Sequence, residues 1–280
     1  MGVGRYRMLA IDLDGTLLSP QSQVTARSRA AVHRALAAGL VVCFATGRNL
    51  TESNAILDAV GHHDMCVLVG GAMVVDVKRR VTLQRTAMEP ALAADVCRLL
   101  EGLGHAALAL QDTGETGVDY LITLGAPLNE ATRQWMVATE AKYHLVRDLG
   151  AYEHPHTVRV GIVADPAEVA RVDELIVERF GQRVVTHCLY VAAYGVEVME
   201  VFDPAVSKWE GVLHVARRHG IEASQIVAIG DDVNDLTMIR GAGLGVAMGN
   251  AKPQVKAAAA RVIGTNANDG LAEFLEEMIG

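Results

Sequence analysis

The chain has 280 residues, a length that suggests about two domains, and 51% of them are hydrophobic against 21% charged, which excludes disorder. Lys and Arg number 25 and Asp and Glu 33, and the resulting net charge of −8 argues against broad binding of nucleic acid or a membrane surface. A small phosphorylated ligand stays compatible with that acidity, because local amides, a few cations or a metal can hold it.

Residues 6–13 read as a continuously apolar strand, the kind buried on both faces of a parallel sheet. Asp12 and Asp14 follow it closely, so the N-terminus is not an apolar leader. Thr25 caps a helix reaching about Ala38, residues 40–45 form the next strand, and a helix over 51–60 stops at Gly61. Residues 65–69 give a third strand. This β-α-β-α-β order predicts a doubly wound, mostly parallel, Rossmann-like α/β core.

The texture changes after Arg85. Pro90 opens a helix, strands over 106–110 and 120–124 follow, and a helix near 129–143 leads to a strand over 157–163. Asp165-Pro166-Ala167-Glu168 is a capping box for a helix reaching Phe180, and two short strands over 184–187 and 189–193 close the segment. The order αββαβαββ predicts an α+β domain with an antiparallel sheet, spanning residues 86–192. It is inserted, because the parallel pattern is expected to resume at 193 and run to 280, with strands over 196–202, 226–229, 244–247 and 261–263. The linkers fall near 85–90 and 193–195.

The apolar runs at 35–45 and 65–75 are shorter than the roughly 20 residues of a membrane-spanning helix. Cys43, Cys66, Cys97 and Cys188 lie far apart with no C-x-x-C pair, which reads as inert thiols in a reducing cytoplasm. A cytoplasmic protein is expected.

The chemistry concentrates where strands end. Asp12-Leu13-Asp14-Gly15-Thr16 follows the first strand, at the sheet edge where open α/β folds bind ligands. Alternate residues of an extended chain point the same way, so both carboxylates can address one atom, and a cation between them relieves their repulsion. Thr46-Gly47-Arg48 ends the second strand with a hydroxyl and free amides at a helix entrance, an anion cradle or simply a capped helix. Lys208 opens a late helix and alone would read as a solvated cation. Gly230-Asp231-Asp232-Val233-Asn234-Asp235 gathers carboxylates at another strand end, which suits Mg²⁺.

Together these four segments resemble the haloacid dehalogenase superfamily, and more narrowly its Cof-like branch, over nearly the whole chain. The trailing Leu244-Gly-Val-Ala-Met-Gly-Asn250-Ala251 and Asn268-Asp269-Gly270 stretches are similar to that branch, and the insert is similar to its C2B cap. The resemblance implies a Mg²⁺-dependent phosphomonoesterase acting on a small phosphorylated metabolite, a sugar phosphate or cofactor phosphate, through an aspartyl-phosphate. Asp12 would be the nucleophile and Asp14 the general acid and base. Asp12, the Asp14 carbonyl and Asp231 would hold Mg²⁺ with Asp235 in support, and Thr46, Gly47, Lys208 and Asn234 would hold the phosphate. Gly70 stands where relatives have Asn, and Trp209 where they have Gly. His154, His156, Arg159 and Tyr190 are candidates for reading the leaving group, as part of a lid that opens and closes. A phosphomutase of similar architecture and a phospho-acceptor or phosphate-binding regulatory protein are the alternatives.

Overall fold

A computed structural model describes residues 4–191 and 195–280. The chain divides into two compact units, one running to Gln84 and resuming at Ser207, the other spanning Arg85–Val206.

The first unit carries a parallel sheet in the order Arg261–Val262, Leu244–Ala247, Ile226–Gly230, Met8–Ile11, Val41–Phe44. Every residue of Met8–Ile11 and of Ile226–Gly230 is buried, which explains why both runs are apolar without alternation. The strand order reverses between these two, so the topological switch point, and with it the ligand crevice, lies at their C-terminal ends. One face packs Ala10, Cys43, Val67 and Ala228 against Val212, Val215 and Ala216 of the helix Lys208–Arg218. Helices Ala26–Ala37 and Gly270–Ile279 pair, joined by Arg27 and Arg34 on Glu276 and by Thr25 on Asp269.

The third predicted strand, Met65–Leu68, joins this sheet only through a parallel bridge between Ala45 and Val67 and then forms an antiparallel hairpin with Met73–Asp76. The turn of this hairpin is Val69-Gly70-Gly71, and its glycine pair was the available signal in the sequence. All three turn residues have positive φ.

The second unit is a six-stranded sheet in the order Val185–Val191, Val196–Phe202, Thr157–Ala164, Leu108–Gln111, Tyr120–Thr123, Tyr143–Val146. Helices Pro90–Gly102 and Pro166–Phe180 cover one face, through Val96, Leu100, Val169, Val172 and Ile176 on Ala109, Val160 and Ile162. Two expectations change here. The two strands expected over 184–187 and 189–193 are a single strand, Val185–Val191, as far as the described residues reach, and its antiparallel partner is Val196–Phe202. That partner also pairs antiparallel with Thr157–Ala164, so the parallel core resumes at Ser207 and not at 193. Val196–Phe202 imitates a core strand because its last four residues are buried, as in any central strand. The linker expected near 193–195 falls mostly on residues outside the described ones. Tyr143–Val146 escapes detection because it is short and exposed at the sheet edge.

No helix among the described residues is long and apolar enough to cross a membrane.

Candidate active site

The backbone N–H of Asp12 donates to the Ile229 carbonyl at 3.0 Å, continuing the parallel ladder one residue past Ile11. Asp12 is therefore the point at which the strand leaves the sheet. Gly15, at φ +74°, then turns the chain so tightly that a Cβ there would sit 2.2 Å from Asp231 Oδ2. Only glycine fits that approach.

Lys208 Nζ donates to Asp12 Oδ1 and to Asp235 Oδ1, each at 2.6 Å, and all three side chains are buried. The other Asp235 oxygen accepts from the N–H groups of Asp231 at 2.9 Å and Asp232 at 3.0 Å. Asp235 is thus an organising carboxylate, held by donors of the chain on both oxygens. Asp231 accepts from the Thr16 hydroxyl at 3.2 Å. Oxygen atoms of Asp12, Asp231 and Asp235 lie within 4.8 Å of one another.

One buried ammonium does not balance this cluster. Burial, then Asp235, pushes Asp12 well above the usual carboxylate range in spite of Lys208. Burial and Asp235 push Asp231 up to about 7, against the Thr16 hydrogen bond. Burial opposes the charge on Lys208, but Asp12 and Asp235 outweigh it and raise its pKa, so it stays an ammonium. A donor set made only of carboxylate oxygens under mutual repulsion fits a hard divalent cation, which would remove the cost of keeping Asp12 and Asp231 ionised.

A pH dependence follows. Without a cation, the folded state keeps a proton on Asp231 that the unfolded chain loses near its ordinary pKa of 3.8, so stability falls as pH rises from about 4 through about 7. In chelator, the melting temperature should drop between about pH 4 and about pH 7 more steeply for wild type than for Asp231→Asn. Added Mg²⁺ should recover it in wild type. Parallel curves for the two proteins would remove Asp231 as the source.

The remaining predicted residues are placed as follows. Asp14 does not join the buried cluster: its carboxylate is forked by Arg48, with Nε at 2.8 Å and Nη2 at 2.6 Å. Thr46 is buried at the end of the second strand, and its hydroxyl accepts from the Arg48 N–H at 3.1 Å. A Cβ on Gly47 would meet nothing within 4 Å, so open space adjoins its backbone. Asn234 Oδ1 is buried without a hydrogen-bond partner. Sequence reasoning gave no role to Asn250, whose amide donates to the Gly15 carbonyl at 2.8 Å, or to Lys252, whose N–H donates to the Asp231 carbonyl at 2.9 Å. Asn250 stands in the trailing glycine motif, which was the available signal.

Trp209 is half-buried and packs its ring against Gly241 and the apolar cluster around Ala10, Val212 and Val215. In the second unit His154 is fully buried, bonded to Thr157 Oγ1 at 2.9 Å and to the Leu149 carbonyl at 2.7 Å, and burial lowers its pKa. His156 contacts Arg85, so the two histidines do not form a metal pair. Arg159 is buried on Glu200 and Tyr120, and Tyr190 is exposed.

Lys208 owes its position to a glycine. A Cβ on Gly71, at φ +105°, would lie 2.0 Å from the Ser207 carbonyl oxygen and 2.8 Å from Lys208 N. Gly71→Ala should cost more than about 1 kcal/mol of stability, since both φ and space forbid the methyl. It should also lower activity by displacing the start of the helix. A variant as stable and active as wild type in thermal and kinetic assays would contradict this close packing.

Residues 9–275 match the family model of haloacid dehalogenase-like hydrolases. The chain is 26% identical over 276 residues to the HMP-PP phosphatase of Serratia proteamaculans, covering 98% of this chain and 96% of that one. It is 26% identical over 286 residues to the pyridoxal phosphate phosphatase YbhA of Escherichia coli, covering 96% and 97%. The crystal structure of a haloacid dehalogenase-like hydrolase from Bacteroides thetaiotaomicron superposes with a TM-score of 0.81 at 21% identity, over 97% of this chain and 99% of that one, a likeness of fold. With the family model covering the strand-end carboxylates and the late lysine alike, the chain belongs to the haloacid dehalogenase-like hydrolases.

Proposed function

We propose that this haloacid dehalogenase-like phosphatase is a Mg²⁺-dependent phosphomonoesterase that hydrolyses a small phosphorylated metabolite through an aspartyl-phosphate on Asp12. The observation that carries the reading is the pairing of Asp12 with Lys208 at 2.6 Å inside a buried carboxylate cluster at the switch point of the sheet. Asp12 and Asp231, with the Asp14 carbonyl, would hold the ion, and Asp235 would orient them. When bound, Mg²⁺ supplies positive charge that lets a phosphate dianion approach a carboxylate.

The chain's own groups do the rest. An Asp12 oxygen attacks phosphorus in line with the leaving oxygen, and the bond from phosphorus to that oxygen breaks. Asp14 delivers a proton to the departing alkoxide, so the alcohol leaves neutral. In the second half Asp14 takes a proton from water as the water oxygen attacks phosphorus, freeing Asp12 and inorganic phosphate. Lys208, Thr46, the Gly47 amide and Asn234 carry the phosphoryl oxygens through both halves.

The second unit, which contributes none of these residues, is assigned the choice of substrate as the C2B-type cap. Substrates named for the curated relatives, HMP-PP and pyridoxal phosphate, are small phosphorylated molecules and motivate the same class here. A cytoplasmic location fits free cysteines, of which Cys43, Cys66 and Cys97 are buried. The test is release of inorganic phosphate from a panel containing HMP-PP, pyridoxal phosphate and sugar phosphates, with Mg²⁺ and with chelator. Metal-dependent release on some of the panel is expected. Transfer to an added alcohol without release would favour a mutase, and no turnover of any ester would reject the reading.

A further inference from the structure

The Thr46-Gly47-Arg48 segment supplies two groups to the proposed phosphate cradle and leaves Arg48 without a task. The geometry gives it one. Arg48 Nε lies 2.8 Å from Asp14 Oδ2 and Nη2 lies 2.6 Å from Asp14 Oδ1, so one edge of the planar guanidinium engages both carboxylate oxygens. This fork fixes the plane and rotamer of the Asp14 carboxyl group, which a point charge would not do.

Arg48 is itself held by its backbone. Its N–H donates to Thr46 Oγ1 at 3.1 Å and its carbonyl accepts from the Val69 N–H at 2.9 Å. Val69 sits at φ +54°, a region that a β-branched residue rarely enters, and Gly70 and Gly71 follow with positive φ. Strain of this kind persists where the surroundings over-determine it, and it clusters at functional sites. The Arg48 and Asp14 side chains are 31% and 52% exposed, and an ion pair so open to water adds little to folding stability. A strained turn that anchors an arginine which contributes little to stability needs another purpose, and the partner of that arginine lies two residues beyond Asp12.

We infer that Arg48 is a positioning residue that holds the Asp14 carboxyl group in orientation for proton transfer at the leaving oxygen. The inference rests on the phosphomonoesterase reading, in which Asp14 serves that oxygen. Its consequence is selective. Esters whose alcohol must be protonated as it leaves should depend on Arg48, and esters of acidic phenols, which leave as anions, should not.

The experiment compares wild type, Arg48→Ala, Arg48→Gln and Arg48→Lys on 2,4-dinitrophenyl, 4-nitrophenyl and phenyl phosphate with saturating Mg²⁺, the glutamine variant standing in should alanine fail to fold. We expect kcat to fall by about tenfold or more on phenyl phosphate and by less than about threefold on the dinitrophenyl ester, with KM changing little. Arg48→Lys should resemble Arg48→Ala, and methylguanidinium in solution should restore part of kcat to Arg48→Ala on phenyl phosphate only. In an Asp14→Asn background, Arg48→Ala should add no further loss, since the two residues act as one. Equal losses on all three esters, a change confined to KM, or full activity of Arg48→Ala would each overturn the inference while leaving the phosphatase reading intact. Failure of wild type on every ester would instead reject that reading, and this inference with it.

Discussion

Asp12→Asn should lose at least about a thousandfold in kcat while remaining folded, because an amide oxygen is a far poorer nucleophile than a carboxylate. The structure adds a stability result. Asp12 is buried, and Asp235, Asp231 and Asp14 all disfavour its charge. Replacing it with a neutral side chain of the same shape removes that repulsion and leaves Lys208 paired to Asp235 at 2.6 Å. In chelator the variant should therefore melt no lower than wild type, and its gain from Mg²⁺ should shrink. Turnover above about a hundredth of wild type would contradict the nucleophile; a large drop in melting temperature would contradict the electrostatic account.

Lys208→Met should have the larger effect on folding. Lys208 is 1% exposed and holds two buried carboxylates, so its removal strands charge in the interior. Breaking a buried pair in this way costs about 3–5 kcal/mol. The loss should be greatest above neutral pH, where Asp12 lacks the cation that favours its charged form, and should diminish as pH falls and Asp12 takes up a proton. Phosphatase activity should disappear with it. Denaturant titration across pH tests this: a pH-independent loss would point to packing of the lysine stem, and no loss would remove Lys208 as the counter-charge.

Asp12→Asn and Lys208→Met concern residues that the sequence exposes clearly, and the reason is local. Asp12 and Asp231 each follow a fully buried apolar strand, so the strand names its own end. Lys208 is different: an isolated lysine at a helix start reads as solvated, and only the company of the other segments singles it out. Its position depends on the close approach of Gly71, which stands 136 positions before Ser207 along the chain yet touches it in the fold.

Other features were illegible for definable reasons. Val196–Phe202 carries the apolar run of a core strand, yet its register opposite Val185–Val191 makes it antiparallel, and pairing partners are not written in a strand's own composition. The Arg48–Asp14 fork joins residues 34 apart through two loops, where no periodicity links them. Asn250 could be found as part of a motif, but its contact with the Gly15 carbonyl spans 235 positions. Trp209, a departure from the family pattern, is explained by Gly241, whose missing side chain leaves room for the indole.

The central claim is that the phosphoryl group passes through Asp12. The most direct measurement is to quench wild-type enzyme during steady-state turnover, reduce any acyl phosphate with borohydride, and sequence the peptides by mass spectrometry. Borohydride converts an aspartyl-phosphate to homoserine, and the account predicts homoserine at position 12, absent from Asp12→Asn and from enzyme without substrate. Homoserine at another aspartate, or none at position 12 under conditions in which a phosphorylated enzyme demonstrably accumulates, would contradict it.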